Sequence, residues 1–175
     1  MGRAYGIPTV ALRYFNVYGT RQALSNPYTG LCAIFSSRLL NGQRPLVFED
    51  GEQSRDFVHV SDVVQANLLA IEKSGADYEA VNIATGIATT VNEMAKLLAD
   101  GLHKNISAEI TGRYREGDIR HCVADISKAK TLLGYQPKVA LRDGLRELLA
   151  WVSQQSAQDL VPQMEKELAA RNLVY

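Results

Sequence analysis

An α/β fold is predicted for this 175-residue chain by three observations. Short apolar runs of strand length alternate with longer segments whose apolar residues recur at helical spacing. Glycine and proline stand at the boundaries between them, as helix stop and turn signals do. A hydrophobic fraction of 46% over this length is enough for one ordinary core.

Met1 to Tyr5 reads as the last turn of a helix, with Gly6 as a left-handed terminator and Pro8 beyond it. Thr9 to Phe15 is apolar apart from Arg13, which predicts a parallel strand covered on both faces and ended by Asn16-Val17-Tyr18-Gly19. Pro27 to Gly42 is predicted as a helix, with Leu31, Ile34, Phe35, Leu39 and Leu40 as its apolar set. Pro45 to Phe48 is a short strand. A polar turn about Gly51 leads to a strand over Phe57 to Val60, and Asp62 to Lys73 follows as a helix whose stripe is Val64, Leu68 and Ile71. Glu79 to Ala84 is the next strand. Thr90-Val91-Asn92-Glu93 is a capping box, opening a helix to about Leu102. Ser107 to Ile110 reads as a strand and Gly112 to Asp118 as a polar loop. Ser127 to Leu133, stopped by Gly134, and Arg142 to Val152 are helices, and Ala157 to Leu173 is a C-terminal helix with Leu160, Val161, Met164 and Leu168 on one face.

Composition narrows the function. Lys plus Arg equals Asp plus Glu, 19 against 19, so there is no broad basic surface for nucleic acid and any anion site must be local. The apolar run near Val10 to Leu12 is short and broken by Arg13, which argues against a membrane span or signal peptide. Cys32 and Cys122 fit neither a metal site nor a disulfide framework, and a reducing, cytoplasmic setting is expected. No two glycines are spaced G-x-G or G-x-x-G. The pair Gly112 and Gly117 lacks the Lys-Ser or Lys-Thr of a phosphate-binding loop. No Tyr is followed by Lys four residues later, and no G-x-S-x-G turn occurs. No catalytic residue and no metal site is therefore assigned.

What remains is a set of polar residues at predicted loop edges: Asn16, Arg55, Arg115 and Asp118. An arginine fork matches phosphate oxygens, so two on separate loops are suited to clamp a diphosphate. Arg55 has an equally local alternative, a salt bridge to Asp50, Glu52 or Asp56. His59 and Phe48 read as core residues, and Tyr14 and Phe15 as strand-end packing or a ligand platform.

Three stretches occur together in a familiar order: Leu12-Arg13-Tyr14-Phe15-Asn16-Val17-Tyr18-Gly19, then Asp50-Gly51-Glu52-Gln53-Ser54-Arg55-Asp56-Phe57-Val58-His59-Val60-Ser61-Asp62, then Arg115-Glu116-Gly117-Asp118 through Ala129. With Leu133-Gly134-Tyr135-Gln136-Pro137 they resemble, over roughly residues 4 to 152, the C-terminal half of the NAD-dependent nucleotide-sugar epimerases and dehydratases of the extended short-chain dehydrogenase/reductase family. Arg21 to Gly30 is most similar to the 4-epimerase branch that acts on UDP- or dTDP-hexoses.

The resemblance implies the last strands of a Rossmann-type parallel sheet plus a small α/β substrate-binding domain. Residues 1–19 and 57–102 would belong to the dinucleotide-binding part, 20–56 and 103–152 to the nucleotide-sugar part, and 153–175 to a C-terminal helix. Tyr14 and Phe15 would lie beside the nicotinamide of NAD. Asn16 would bond the sugar or diphosphate, Gly30 and Leu31 would offer helix-opening amides to a phosphate, Leu46 and Phe48 would flank the base, Arg55 and Arg115 would hold the diphosphate, and Asp118 would lie near the ribose. A nucleotide-sugar ligand and a homo-oligomer are expected. The family's glycine-rich loop and Tyr-x-x-x-Lys pair match nothing in this sequence, so a fragment inactive alone is expected. The alternatives are a non-catalytic nucleotide-sugar binding module and a fragment of a nucleotide-sugar 4,6-dehydratase or decarboxylase.

Overall fold

A computed structural model describes residues 2–26, 30–171 and 173–174. In chain order its elements are α1 (Gly2–Tyr5), β1 (Ala11–Tyr14), β2 (Asn16–Tyr18), α2 (Leu31–Leu40), β3 (Leu46–Val47), β4 (Ser54–Arg55), β5 (Phe57–His59) and α3 (Val60–Glu72). There follow β6 (Ala80–Ile83), β7 (Thr89–Thr90), α4 (Val91–Gly101), β8 (Glu109–Ile110), β9 (His121–Cys122), α5 (Ser127–Leu133), α6 (Leu141–Val152) and α7 (Val161–Ala170). The alternation of strands and helices is the α/β class expected.

Capping chemistry sets several boundaries. Thr90 accepts the amide of Glu93 and opens α4, and Gly134 closes α5 in the left-handed conformation at φ +65°. Helix α2 begins at Leu31. The expected start at Pro27 lies outside the described residues.

The predicted strand over 9–15 divides in two. β1 pairs in parallel with β6, Leu12 opposite Val81, and β2 pairs in parallel with β5, Val17 opposite Val58. At the changeover the amide of Phe15 donates to Ile83 and that of Asn16 to Asp56, so successive residues bond different strands and the chain turns onto a new neighbour. Asn16 to Tyr18 is thus a strand of a second sheet, not the end of the run. Nor is β1 covered on both faces. Leu12 packs inward against the cluster containing Val81, while Ala11, Arg13 and Tyr14 are exposed.

A second difference concerns α3. Its buried positions are Asp62, Val63 and Ala66, whereas Val64, Leu68 and Ile71 face water, Ile71 at 82% exposure. The helix has two apolar stripes, and the one that packs inward is Val63 and Ala66 with Leu69 and Ala70 beside them. Asp62 at its first turn is buried because its two oxygens accept the amides of Lys138 and Val139, at 2.9 and 3.2 Å.

Two main clusters form the core. One joins α2, α4 and α6 through Phe35, Leu39, Met94, Leu98, Leu145 and Leu148. The other packs Val63 and Ala66 of α3 with Val81, Ile83, Ala129, Leu133 and Tyr135. These clusters cut across the division at residues 57–102 and 103–152, since α4 packs with α2 and α6 while α5 packs with the β1–β6 sheet. Fully burying a leucine such as Leu98 contributes on the order of 2 kcal/mol.

Asp56, between β4 and β5, is fully buried. Its carboxyl oxygens accept from the amide and hydroxyl of Thr85 and the amides of Gly86 and Ala124, at 2.6 to 3.2 Å. Four donors from two distant segments replace the water it loses. The turn before β4 is locked as well. Gly51 has φ +80°, and a Cβ there would run into the Asn92 carboxamide at the start of α4.

Candidate functional site

A cavity of about 240 Å³ opens between the start of α2, the β3–β4 region, the 112–118 loop and α7. It brings together Asn16, Gly30, Leu31, Leu46, Phe48, Arg55, Arg115 and Asp118, eight residues that come from widely separated parts of the chain. Ile34, Phe35, Gln53, Val91, Val161 and Met164 complete its lining.

Each arrives for a local reason. The changeover between β1 and β2 turns Asn16 toward the opening. Gly30 is the extended residue before α2, whose first turn carries no acidic residue and whose N-cap contributes no side-chain hydrogen bond. Such a terminus presents amides and the positive end of the helix dipole, a setting favourable to an anion. Ile34 and Phe35 continue from that turn as apolar wall. Helix α7 closes the far side with Val161 and Met164, both buried. It is tied down by Arg38, which pairs with Asp159 at 3.2 Å, and by Arg113, which pairs with Glu165 at 2.6 Å.

Charge is concentrated at one corner. Arg55 Nη2 lies 2.7 Å from Asp118 Oδ1, and Arg115 Nη2 lies 2.7 Å from Asp118 Oδ2. Two guanidiniums thus share one carboxylate, leaving a net charge of +1 from +2 and −1. Burial pushes the Asp118 carboxyl up, but hydrogen bonding from Arg115 and the charges of Arg115 and Arg55 outweigh it and hold the group below the usual carboxylate range. The Arg115 guanidinium also sits 5.1 Å from the centre of the Phe48 ring, so an apolar plate lies directly beside the cationic corner.

The local salt-bridge alternative for Arg55 is not what the structure shows. Asp50 engages Arg120 at 2.8 Å, Glu52 accepts from Asn92, and Asp56 is enclosed by its four donors. The carboxylate partner of Arg55 is Asp118 instead, which the polar loop delivers from far along the chain.

Tyr14 and Phe15 are not brought to the cavity. Tyr14 is 45% exposed and donates from its hydroxyl to Asn67 on α3, and Phe15 packs with Ala84, Ala124 and Ile126. The two stand instead at the carboxyl end of β1, outside the cavity lining. His59 is a core residue: it is 1% exposed, its Nδ1 accepts the amide of Ser61, and it stands edge-on to Tyr18. Burial pushes the Cys32 thiol up to about 12, which removes it as a nucleophile at neutral pH. Among the described residues there is no cluster of metal-ligating side chains, and no helix is long and apolar enough to cross a membrane.

Sequence reasoning missed Gln53 and the α7 wall. Gln53 lies two residues before Arg55 and lines the same cavity, but β4 spans only Ser54–Arg55, too short for alternation to signal it in the sequence.

Residues 1–84 match the model of the NAD dependent epimerase/dehydratase family. The crystal structure of UDP-glucose 4-epimerase from Thermotoga maritima with UDP-glucose is similar at 44% identity and a TM-score of 0.80, covering 87% of this chain and 48% of that one. The UDP-glucuronic acid 4-epimerase of Bacillus cereus, in complex with UDP-glucuronic acid and NAD, is similar at 31% identity and a TM-score of 0.77, with 87% and 48% covered. The dTDP-L-rhamnose 4-epimerase of Burkholderia thailandensis is 35% identical over 149 residues, 85% of this chain and 40% of that protein. The chain spans about half the length of the relatives it matches. On its motifs, its fold and these likenesses, it resembles the NAD dependent epimerase/dehydratase family over most of its length.

Proposed function

We propose that this chain is the nucleotide-sugar-binding part of a 4-epimerase acting on a UDP- or dTDP-hexose. The observation that carries the reading is the Arg55–Asp118–Arg115 cluster beside Phe48, facing the open start of α2 across one cavity. Guanidiniums suit a diphosphate, an apolar plate suits a base, and helix amides suit a phosphate. Asn16 is placed to bond the sugar or diphosphate, and Leu46 lies with Phe48 on the base side. Asp118 orients the arginines and is available to a ribose hydroxyl. The names of the relatives favour 4-epimerisation over dehydration.

Hydride transfer in this family belongs to NAD, and no step of it is assigned to side chains here. Residues 1–19 and the β5–β6 region represent the end of the dinucleotide-binding sheet, with Tyr14 and Phe15 at its carboxyl edge. We therefore infer that the chain alone binds substrate without turning it over, and that the exposed β1 edge and α3 stripe meet further polypeptide, a second copy included. Two free cysteines suit a reducing, cytoplasmic setting.

Calorimetry with UDP tests the site. Unmodified chain should bind UDP, and Arg55→Ala should weaken it about tenfold or more, the loss of one charge-assisted contact, while leaving the unfolding midpoint nearly unchanged. Equal affinity in both proteins would return Arg55 to a structural ion pair. Epimerisation of UDP-glucose by the chain with NAD would refute inactivity.

A further inference from the structure

Helix α7 and its flanking segments run along one side of the cavity and are tied at both ends. On the α2 side, Asn41 Nδ2 donates to the carbonyl of Ala157 at 2.8 Å, Ser37 Oγ donates to that of Gln158 at 3.1 Å, and Arg38 pairs with Asp159. On the other side, Glu165 pairs with Arg113, the amide of Glu116 donates to the carbonyl of Leu173 at 3.0 Å, and Val174 forms a β-bridge with Arg115. Between these ties, Val161 and Met164 are buried and line the cavity. Neither is a member of the core clusters formed by the described residues. The cavity they bound, about 240 Å³, is smaller than the roughly 300–1,000 Å³ taken by a drug-sized ligand. A nucleoside diphosphate carrying a hexose is at least that large.

We propose that α7 with its flanking ties is an autoinhibitory strap, which fills part of the space a nucleotide-sugar takes and must lift for the ligand to enter; this rests on the nucleotide-sugar reading of the site. Volume makes the two exclusive: with Val161 and Met164 in the lining, the whole ligand does not fit. The ties decide which end lifts. Arg38 and Asp159 are largely buried, whereas Arg113 and Glu165 are partly exposed, and an exposed ion pair contributes little. The strap therefore pivots about residues 157–159 and releases at the 113–116 loop. That loop also carries Arg115 of the cationic corner, whose backbone holds Val174. A phosphate that draws Arg115 toward itself thus acts on the segment to which the strap is tied. Only the lifted fraction binds, so the apparent affinity for a nucleotide falls in proportion to that fraction.

The experiment is calorimetry of the full chain with UDP and with pyrophosphate, on the unmodified protein, Glu165→Ala and Met164→Ala, joined to hydrogen exchange of the α7 amides with and without UDP. Glu165→Ala removes the weaker tie and should bind UDP about twofold to fivefold more tightly than the unmodified chain, the range an exposed ion pair spans when its loss falls on the closed strap alone. Met164→Ala removes apolar filling from the cavity and should tighten UDP binding about tenfold or more. Pyrophosphate is small enough to sit beneath the strap and should bind all three proteins alike. UDP should speed exchange of the α7 amides. An α7 that merely completes the wall would give the opposite signs: weaker UDP binding in both variants, and amides that UDP protects. Either of those results, UDP affinity unchanged in both variants, or an equal gain for UDP and pyrophosphate overturns the strap while the nucleotide reading stands. UDP binding no tighter than pyrophosphate in all three proteins overturns both. Should Met164→Ala fail to fold, Val161→Ala takes its place, and Glu165→Ala remains decisive by itself.

Discussion

Around Leu98, where α4 meets α2 and α6, the large apolar side chains are enclosed, whereas on the outer side of α3 Val64, Leu68 and Ile71 stand in water. Both helices are amphipathic and similar in length. One is packed on a core that also floors the cavity; the other covers the paired strands β1–β6 and β2–β5 and carries a second apolar face that is largely exposed. The difference teaches that the α2–α4–α6 side encloses its large apolar groups and the outer side of α3 does not. Exposed apolar area of this kind marks a surface awaiting a partner.

Substitution separates the two sides most sharply. Leu98→Ala should destabilise the chain by about 3 kcal/mol, the range for a large-to-small change in a closed core, while Ile71→Gln should change stability by no more than about 0.5 kcal/mol. Urea unfolding measures both, and light scattering should show less self-association for Ile71→Gln. A loss at Ile71 as large as that at Leu98 would mean that the α3 stripe is buried in solution and would erase the distinction.

A smaller effect tests the turn before β4. Hydrogen bonding to Arg120 holds the Asp50 carboxyl down at about 2, against an ordinary value of 3.8. Because the folded value is depressed, the contribution is present above about pH 4 and is lost as pH falls toward 2. Asp50→Asn should therefore unfold slightly earlier than the unmodified chain at pH 6, with the two curves converging near pH 2. A constant gap across that range would show that the pair contributes nothing through its charge. Asp50 is solvent-exposed, so this is the least of the effects.

Much of this was readable from residues alone, and the failures have physical causes. Thr90 and Gly134 announced their helix ends because capping is local chemistry. The eight cavity residues could be named together through a family resemblance, but their convergence could not be derived from spacing, since Asn16, Arg55 and Asp118 meet only in the fold. The short strands β4, β7 and β9 have two residues each, too few for any alternation to show. For α3, helical periodicity identified the helix but not its inward side: Val63, Ala66, Leu69 and Ala70 form a stripe as regular as Val64, Leu68 and Ile71, and only the packing of the sheet beneath decides between them. Gln53 and Asp56 passed as loop polarity because burial is a tertiary fact.

Asp56 also carries a consequence for the order in which the chain assembles. Its donors lie 29, 30 and 68 positions away in sequence, so the bonds from Thr85 and Gly86 wait for the segment after β6 and the last for the segment at Ala124. Loop-closure entropy is spent before such contacts return anything, which places this carboxyl among the last groups to be satisfied. Asp56→Asn should then accelerate unfolding far more than it slows refolding. Stopped-flow kinetics reads the two limbs separately, and a loss confined to the refolding limb would instead put Asp56 in the nucleus. On this account the residue beside Arg55 acts as a latch, governing how long the assembled cavity persists once formed.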